Sequence, residues 1–274
     1  MDNRFYECHG HIMMGGADYA SSFDALASCG IGYFRDGGDA GGITAEAKQY
    51  VKEHPELGLE YVTPVFAIHR KGRYGGIVGR PYEDFKEFRA LVAEAASKGA
   101  DFIKIMYSGI VTFKEYGELS TPPLDAEEIK ELVNIAHGEG FAVMAHCNGR
   151  DTILAAIEAG TDSIEHGVFM DEECEAALAE SSTVWVPTIA AIAAFCNRPG
   201  FDEEIADRTA KALKASVSRA SALGAKIASG SDCGAFRVPI GPGCLDEYAL
   251  LRECGVPSER IAAANELIRE RFRR

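Results

Sequence analysis

Eight times along this chain a short β-branched or aromatic run gives way to a longer helical pattern, and this alternation limits the fold more than any other feature. Strands are expected at Phe5–His9, Ile31–Arg35, Tyr61–Ala67, Phe102–Met106, Ala142–His146, Ser163–His166, Val184–Thr188 and Lys226–Ser229. Helical patterns follow at Ser22–Cys29, Thr44–Glu53, Tyr82–Lys98, Asp125–Glu139, Asp151–Ala159, Asp171–Glu180, Glu203–Leu223 and Leu245–Arg271, the last broken near Pro257. In the third of these, Phe85, Phe88, Leu91, Val92 and Ala95 form a stripe of period 3.6. Asp125 stands where an N-cap belongs, three residues before Glu128.

Spread over 274 residues, eight units take about 34 residues each, and a βαβ unit needs roughly 30 or more. The expected fold is therefore α/β, a single (β/α)8 TIM barrel forming one domain over residues 1–274. An open doubly wound sheet is the runner-up. It calls for a glycine-rich phosphate loop after an early strand, and Asp36-Gly37-Gly38-Asp39-Ala40-Gly41-Gly42 does not read GxGxxG. We place that segment at the barrel mouth.

Barrel enzymes put their reactive residues at the C-terminal ends of the strands. His9-Gly10-His11 ends the first strand, and residues two apart point to one side. His146 and His166 each end a later strand, and Asp232 follows the last one in Ser229-Gly230-Ser231-Asp232. Four of the seven histidines thus fall at the same mouth, a placement that separately satisfied core histidines would not produce. Lys104 lies in the otherwise apolar strand Phe102-Ile103-Lys104-Ile105-Met106. Burying a lysine is costly unless it is paired or neutralised. One remedy is reaction with carbon dioxide to give an anionic carbamate that can bridge two divalent cations; pairing with an acid at the barrel end is the other reading. The donor set is nitrogen and oxygen without thiolate, which suits Zn²⁺ best and admits Mn²⁺, Fe²⁺ or Co²⁺. Two such ions about 3.5–4 Å apart would hold an acidified water between them, with Asp232 as general acid and base.

These segments, taken in order, resemble the amidohydrolase superfamily, in its branch of prolidase-like and imidazolonepropionase-like proteins. The resemblance runs through His9-Gly10-His11, Gly32-Tyr33-Phe34-Arg35-Asp36-Gly37-Gly38, Gly99-Ala100-Asp101-Phe102-Ile103-Lys104-Ile105 and Val186-Pro187-Thr188 to Gly230-Ser231-Asp232. Its most specific part is Ala145-His146 followed by residues 155–167, which end in Ile164-Glu165-His166-Gly167. It implies that His9, His11 and Asp232 hold the more buried metal, that His146 and His166 hold the other, and that carboxylated Lys104 bridges them. The implied reaction is hydrolysis of an amide, peptide or cyclic amide bond. One departure is expected: the β-sandwich usual in this branch has no segments here from which to be built. The phosphotriesterase and lactonase branch also lacks it and uses the same six ligand types, so lactone or phosphoester hydrolysis is the alternative. A single-metal, deaminase-like site would want an acid soon after His146; Cys147-Asn148-Gly149-Arg150 follows instead, and Asp151 reads as a helix N-cap. A binding barrel without turnover is the remaining reading, and the complete ligand set argues against it.

The bulk properties exclude several partners. Forty-two acidic against 28 basic residues give a net charge of −14, a surface that repels nucleic acid. No apolar run approaches 18 residues, so no membrane span is expected. The eight cysteines include no CxxC pair, and no basic-then-apolar leader precedes Phe5; a reducing cytoplasm is the expected compartment. The basic Arg269–Arg274 end reads as a solvated helix terminus. The expected substrate is a small molecule bearing a carboxylate, received by Arg70 or Arg73 in the loop after the third strand. Tyr107 and Arg237 are further candidates for substrate contact. Cys147 and Cys233, each beside a ligand position, read as packing residues, and His54 and His137 as surface residues. A homo-oligomer is compatible with the sequence.

Overall fold

The structure is a computed structural model that describes residues 5–14 and 18–274. The stretch before Phe5 lies outside the described residues. In chain order the elements are β1 (Phe5–Gly10), α1 (Tyr19–Ser28), β2 (Ile31–Asp36), α2 (Thr44–Glu53), β3 (Glu60–Val62), β4 (Ala67–Arg70), β5 (Gly79–Tyr82), α3 (Phe85–Ser97), β6 (Ile103–Met106), α4 (Ala126–Gly138), β7 (Val143–Cys147), α5 (Arg150–Glu158), β8 (Ser163–His166), α6 (Glu172–Glu180), β9 (Val184–Val186), α7 (Ile189–Ala193), α8 (Glu203–Leu223), β10 (Lys226–Ile227), α9 (Pro242–Glu253) and α10 (Ser258–Arg271). The strands form a three-stranded sheet, β1-β2-β3, and a seven-stranded sheet, β10-β9-β8-β7-β6-β4-β5. Every strand pair is parallel, as the strand–helix alternation requires. Backbone hydrogen bonds run between the sheets on both sides. Cys8 N donates to Ser229 O at 2.9 Å and Asp232 N to His9 O at 2.7 Å, while Asp101 N donates to Thr63 O at 2.9 Å.

The expected third strand, Tyr61–Ala67, is divided between β3 and β4. Pro64 has no N–H to give a ladder, and Val65 takes a left-handed φ of 69°, so regular pairing cannot pass through them. β5 was not expected, because Pro81 sits within it; it is an edge strand paired only to β4, where a proline is tolerated. Gly79 is needed there, since a Cβ would stand 2.5 Å from Ala67 O. The Leu245–Arg271 pattern breaks between α9 and α10, at Gly255 and Pro257. Asp125 does cap α4, accepting from Glu128 N at 2.8 Å. Asp151 is not a cap: Gly149, at φ 87°, holds that position and Asp151 lies in the first turn of α5.

Two layers of side chains flank the strands. Most apolar residues fill the layer between strands and helices, including Phe88, Val92 and Ala95 of the α3 stripe. A smaller cluster of Cys8, Tyr33, Val62, Phe102, Met144 and Val186 packs against Ala264, Ile268 and Phe272 at the end of the chain. The basic C-terminal segment is therefore more than a solvated end. Phe272 is fully buried, its ring 5.3 Å from that of Phe102 and 4.3 Å from the Arg35 guanidinium carbon, and Arg269 Nε meets Glu60 Oε2 at 2.7 Å. No described helix is long and apolar enough to cross a membrane.

Candidate metal centre

The strand ends deliver their side chains to one cavity of about 270 Å³, and His9, His11, Lys104, His146, His166 and Asp232 all line it. The register explains the middle of the set. β6 pairs with β7 so that Met106 faces His146, and β7 pairs with β8 so that Cys147 faces His166. Alternation along β6 then turns Lys104 and Met106 toward the cavity and Ile103, Ile105 and Tyr107 into the helix layer. Two of the six stand on backbone that L-residues rarely adopt. His166 has φ 68° and Asp232 φ 59°, and Thr188, which holds His166, has φ 49°. Left-handed backbone at three such positions is strain of the kind that collects at functional sites.

Hydrogen bonds fix the rings. His9 Nδ1 lies 2.8 Å from Glu165 Oε2, leaving Nε2 toward Asp232 Oδ1 at 3.7 Å. His11 Nε2 is 3.5 Å from the same oxygen, and His9, His11 and Asp232 form a group able to share an ion. His166 Nδ1 meets Thr188 Oγ1 at 2.8 Å, and His146 Nε2 meets Gly109 O at 3.1 Å and Asn148 Nδ2 at 3.2 Å. The rings are contiguous, with centroids 5.6 Å apart for His9–His11, 4.9 Å for His9–His166 and 4.5 Å for His146–His166. Gly37 makes room for this packing: a Cβ there would come within 2.2 Å of His11 Cε1.

Burial sets the charge states. It holds His11 down to about 4 and His146 to about 3, helped in each case by the Lys104 charge, and it depresses His9 and His166 well below the usual range. The imidazoles are then neutral at physiological pH and offer lone pairs. Burial also raises the Asp232 carboxyl to about 7, against the pull of Lys104, and lowers Lys104 to about 8. Among the described residues, Lys104 Nζ is buried without a hydrogen-bond partner. Such atoms are rare in folded proteins and call for a missing partner. Neutral imidazoles and a carboxylate gathered around this unmet nitrogen fit divalent cations.

The sequence reading missed the groups that hold the candidate ligands. Glu165 is fully buried; besides His9 it meets Arg35 Nη2 at 2.9 Å and Ser163 Oγ at 2.5 Å. Arg35 continues to Cys8 O at 2.6 Å. Glu7, also buried, accepts from the backbone N–H of His9 at 3.0 Å and of Ser231 at 2.8 Å, so it ties β1 to the Asp232 segment. The signal was present: each is a charged residue in a strand, the same anomaly that marked Lys104.

The substrate residues expected from sequence do not border the cavity. Arg70 pairs with Glu128 Oε1 at 2.5 Å in a separate cleft, and Arg73 is exposed. Tyr107 is buried behind β6, its hydroxyl 3.3 Å from Thr161 Oγ1. Arg237 is exposed beside Phe236 and borders another cleft. From the loop that carries Arg70 and Arg73, Tyr74, Ile77 and Val78 reach the cavity instead, the Tyr74 ring 5.2 Å from that of His146. Cys147 and Cys233 are buried in the apolar layers, as expected of packing residues. His137 is partly exposed and meets Asp162 Oδ2 at 2.8 Å; His54 stacks on Tyr50 with centroids 3.9 Å apart.

Among known proteins, ochratoxinase of Aspergillus niger is 32% identical over 189 residues, which are 65% of this chain and 38% of that one. The chain thus aligns with well under half the length of this curated relative. Its structure superposes with a TM-score of 0.77 at 21% identity, covering 98% of this chain and 71% of that one. A Xaa-Pro dipeptidase with methionine bound in its active site gives a TM-score of 0.78 at 24% identity, covering 97% and 75%. At these identities the two superpositions speak for the fold. The pattern of the amidohydrolase family matches residues 17–264, a span that holds Lys104, His146, His166 and Asp232 and begins after His9 and His11. Over nine-tenths of its length, then, this chain is a member of the amidohydrolase family.

Proposed function

We propose that the chain is a metal-dependent hydrolase of amide-type carbon–nitrogen bonds, working on a small molecule in this cavity. The carrying observation is the convergence of four neutral imidazoles, a carboxylate and an unpartnered lysine on one cavity floor. The links between the two sheets support an eight-stranded ring, with β3 and β4 together as its third strand. His9, His11 and Asp232 would hold one divalent ion, and His146 and His166 a second. Nitrogen and oxygen donors favour zinc, with manganese, iron or cobalt as substitutes. Such ions, when bound, acidify a water and polarise a substrate carbonyl.

Lys104 would supply the shared ligand. With burial holding its amine near 8, a neutral fraction exists at physiological pH. The Nζ lone pair forms a bond to the carbon of CO2, one N–H proton leaves to solvent, and the product is an anionic carbamate. Asp232 would take the proton of the attacking water and pass it to the leaving nitrogen. The free thiols of all eight cysteines support a reducing compartment.

Metal analysis tests the reading. After incubation with zinc and bicarbonate, wild-type protein is expected to hold about two ions per chain, and Lys104→Ala about one, with hydrolysis reduced ~10³-fold or more. Wild-type protein without bound metal would overturn the proposal. Unchanged metal content and rate in Lys104→Ala would reduce the site to one ion.

A further inference from the structure

Above the ligand floor, one wall of the cavity is a stack of phenylalanine rings. Phe195 is sandwiched between Phe113, at 4.4 Å between centroids and 26° between planes, and Phe236, at 4.8 Å and 20°. Phe201 supports the stack edge-on, 4.8 Å from Phe195. The three stacked rings come from three connections, after β6, after α7 and after β10, and all three border the cavity. Phe113 holds its place with a left-handed φ of 56°, which a bulky residue adopts only under constraint.

The rim is apolar as well. Phe236 is 45% exposed, Ile110 41% and Ile77 69%, and each faces the cavity. Large apolar side chains gathered in water around a cavity mouth mark a place where an apolar ligand sits. Among the described residues that line the cavity, Lys104 is the only lysine or arginine, and it is assigned to the floor. A substrate carboxylate lying along this wall would lose its water and meet no cation.

We propose that the wall selects amides carrying an uncharged aromatic group beside the scissile bond, with Phe113, Phe195 and Phe236 as specificity-determining residues. The bond cleaved rests on the hydrolase reading above; the ring bound does not. A ring laid on or against the stack gains aromatic contact on top of apolar burial, about tenfold or more in affinity over a charged chain of similar reach.

Binding to the full chain without added metal tests the wall alone. The probes are 2-naphthamide and succinamate, with dissociation constants read by ligand-observed NMR. The naphthyl probe is expected to bind at least ~10-fold more tightly, and Phe236→Ala, at an exposed position, is expected to remove most of that preference. Phe195→Leu repeats the test with a substitution that keeps the volume apolar. Equal or tighter binding of succinamate, or an unchanged preference in both variants, would overturn the proposal. Zinc-loaded protein is then given a panel of neutral 2-naphthoyl amides. A binding preference with no hydrolysis would leave the wall standing and remove the hydrolase reading. Hydrolysis without a preference would do the reverse.

Discussion

Glu165 shows how much of the site rests on a residue outside the candidate ligands. One of its oxygens takes His9 Nδ1 at 2.8 Å, the other takes Arg35 at 2.9 Å, and the side chain is fully buried. This fixes the His9 tautomer and aims Nε2 at Asp232. Groups that orient a ligating histidine typically contribute 10–100-fold to metal affinity. Glu165→Gln keeps the shape but weakens both contacts, so zinc affinity is expected to fall ~10-fold or more in competition with a chelator. Affinity equal to wild type would show that the His9–Glu165 contact is not an orienting one. Lys104 differs from its neighbours at this scale, because its assigned role requires a covalent change. Its Nζ is buried without a hydrogen-bond partner among the described residues.

At the scale of elements, α7 carries part of the cavity wall, and its start is held by a buried carboxylate from α9. Ile189 N and Ala190 N donate to the two oxygens of Glu247 at 3.0 and 2.7 Å. Unpaired N–H groups at a helix start attract a negative charge, yet burial raises this carboxyl to about 8. A raised carboxyl gives stability that is complete below its ordinary value of 4.5 and is lost as pH rises through 8, because the folded chain holds the proton longer than the unfolded one. Glu247→Gln does not titrate and can satisfy only one of the two N–H groups. It is expected to cost ~1–3 kcal/mol at pH 5, with the gap to wild type narrowing between pH 5 and 8. Urea unfolding across that range reads it, and a gap that widens with pH would contradict the assignment.

For the whole molecule, the buried donors form a cost that cations would relieve. Four depressed imidazoles, a raised aspartate and an unmet lysine crowd one cavity while the chain carries a net charge of −14. Ions that bind only the folded state stabilise it by about 4 kcal/mol at 1,000 times their dissociation constant. For a chain of this size, that is roughly 8–16 °C in melting temperature. Zinc loading is expected to raise the melting temperature by about that much, and chelation to reverse it. Calorimetry showing no shift on loading would place the ions elsewhere or nowhere.

The alternation of strand and helix, the parallel pairing and the six residues at the cavity floor were legible in the sequence. Each depends on local periodicity and on polar residues at strand ends, which no tertiary contact has to supply. Tertiary structure decided the rest. The third strand broke at Pro64 and Val65, and β5 formed around a proline that only an edge position tolerates. Glu165, Arg35 and Glu7 found one another across distant strands, so their pairing has no spacing to betray it. Arg70, expected at the mouth, turned to Glu128 on α4, and Tyr107 turned away by strict alternation. The ring stack of Phe113, Phe195 and Phe236 joins three connections that are far apart in sequence. Candidate ligands at strand ends follow from the period of a strand, whereas a cavity wall follows from how loops meet, and that is settled only when the chain is folded.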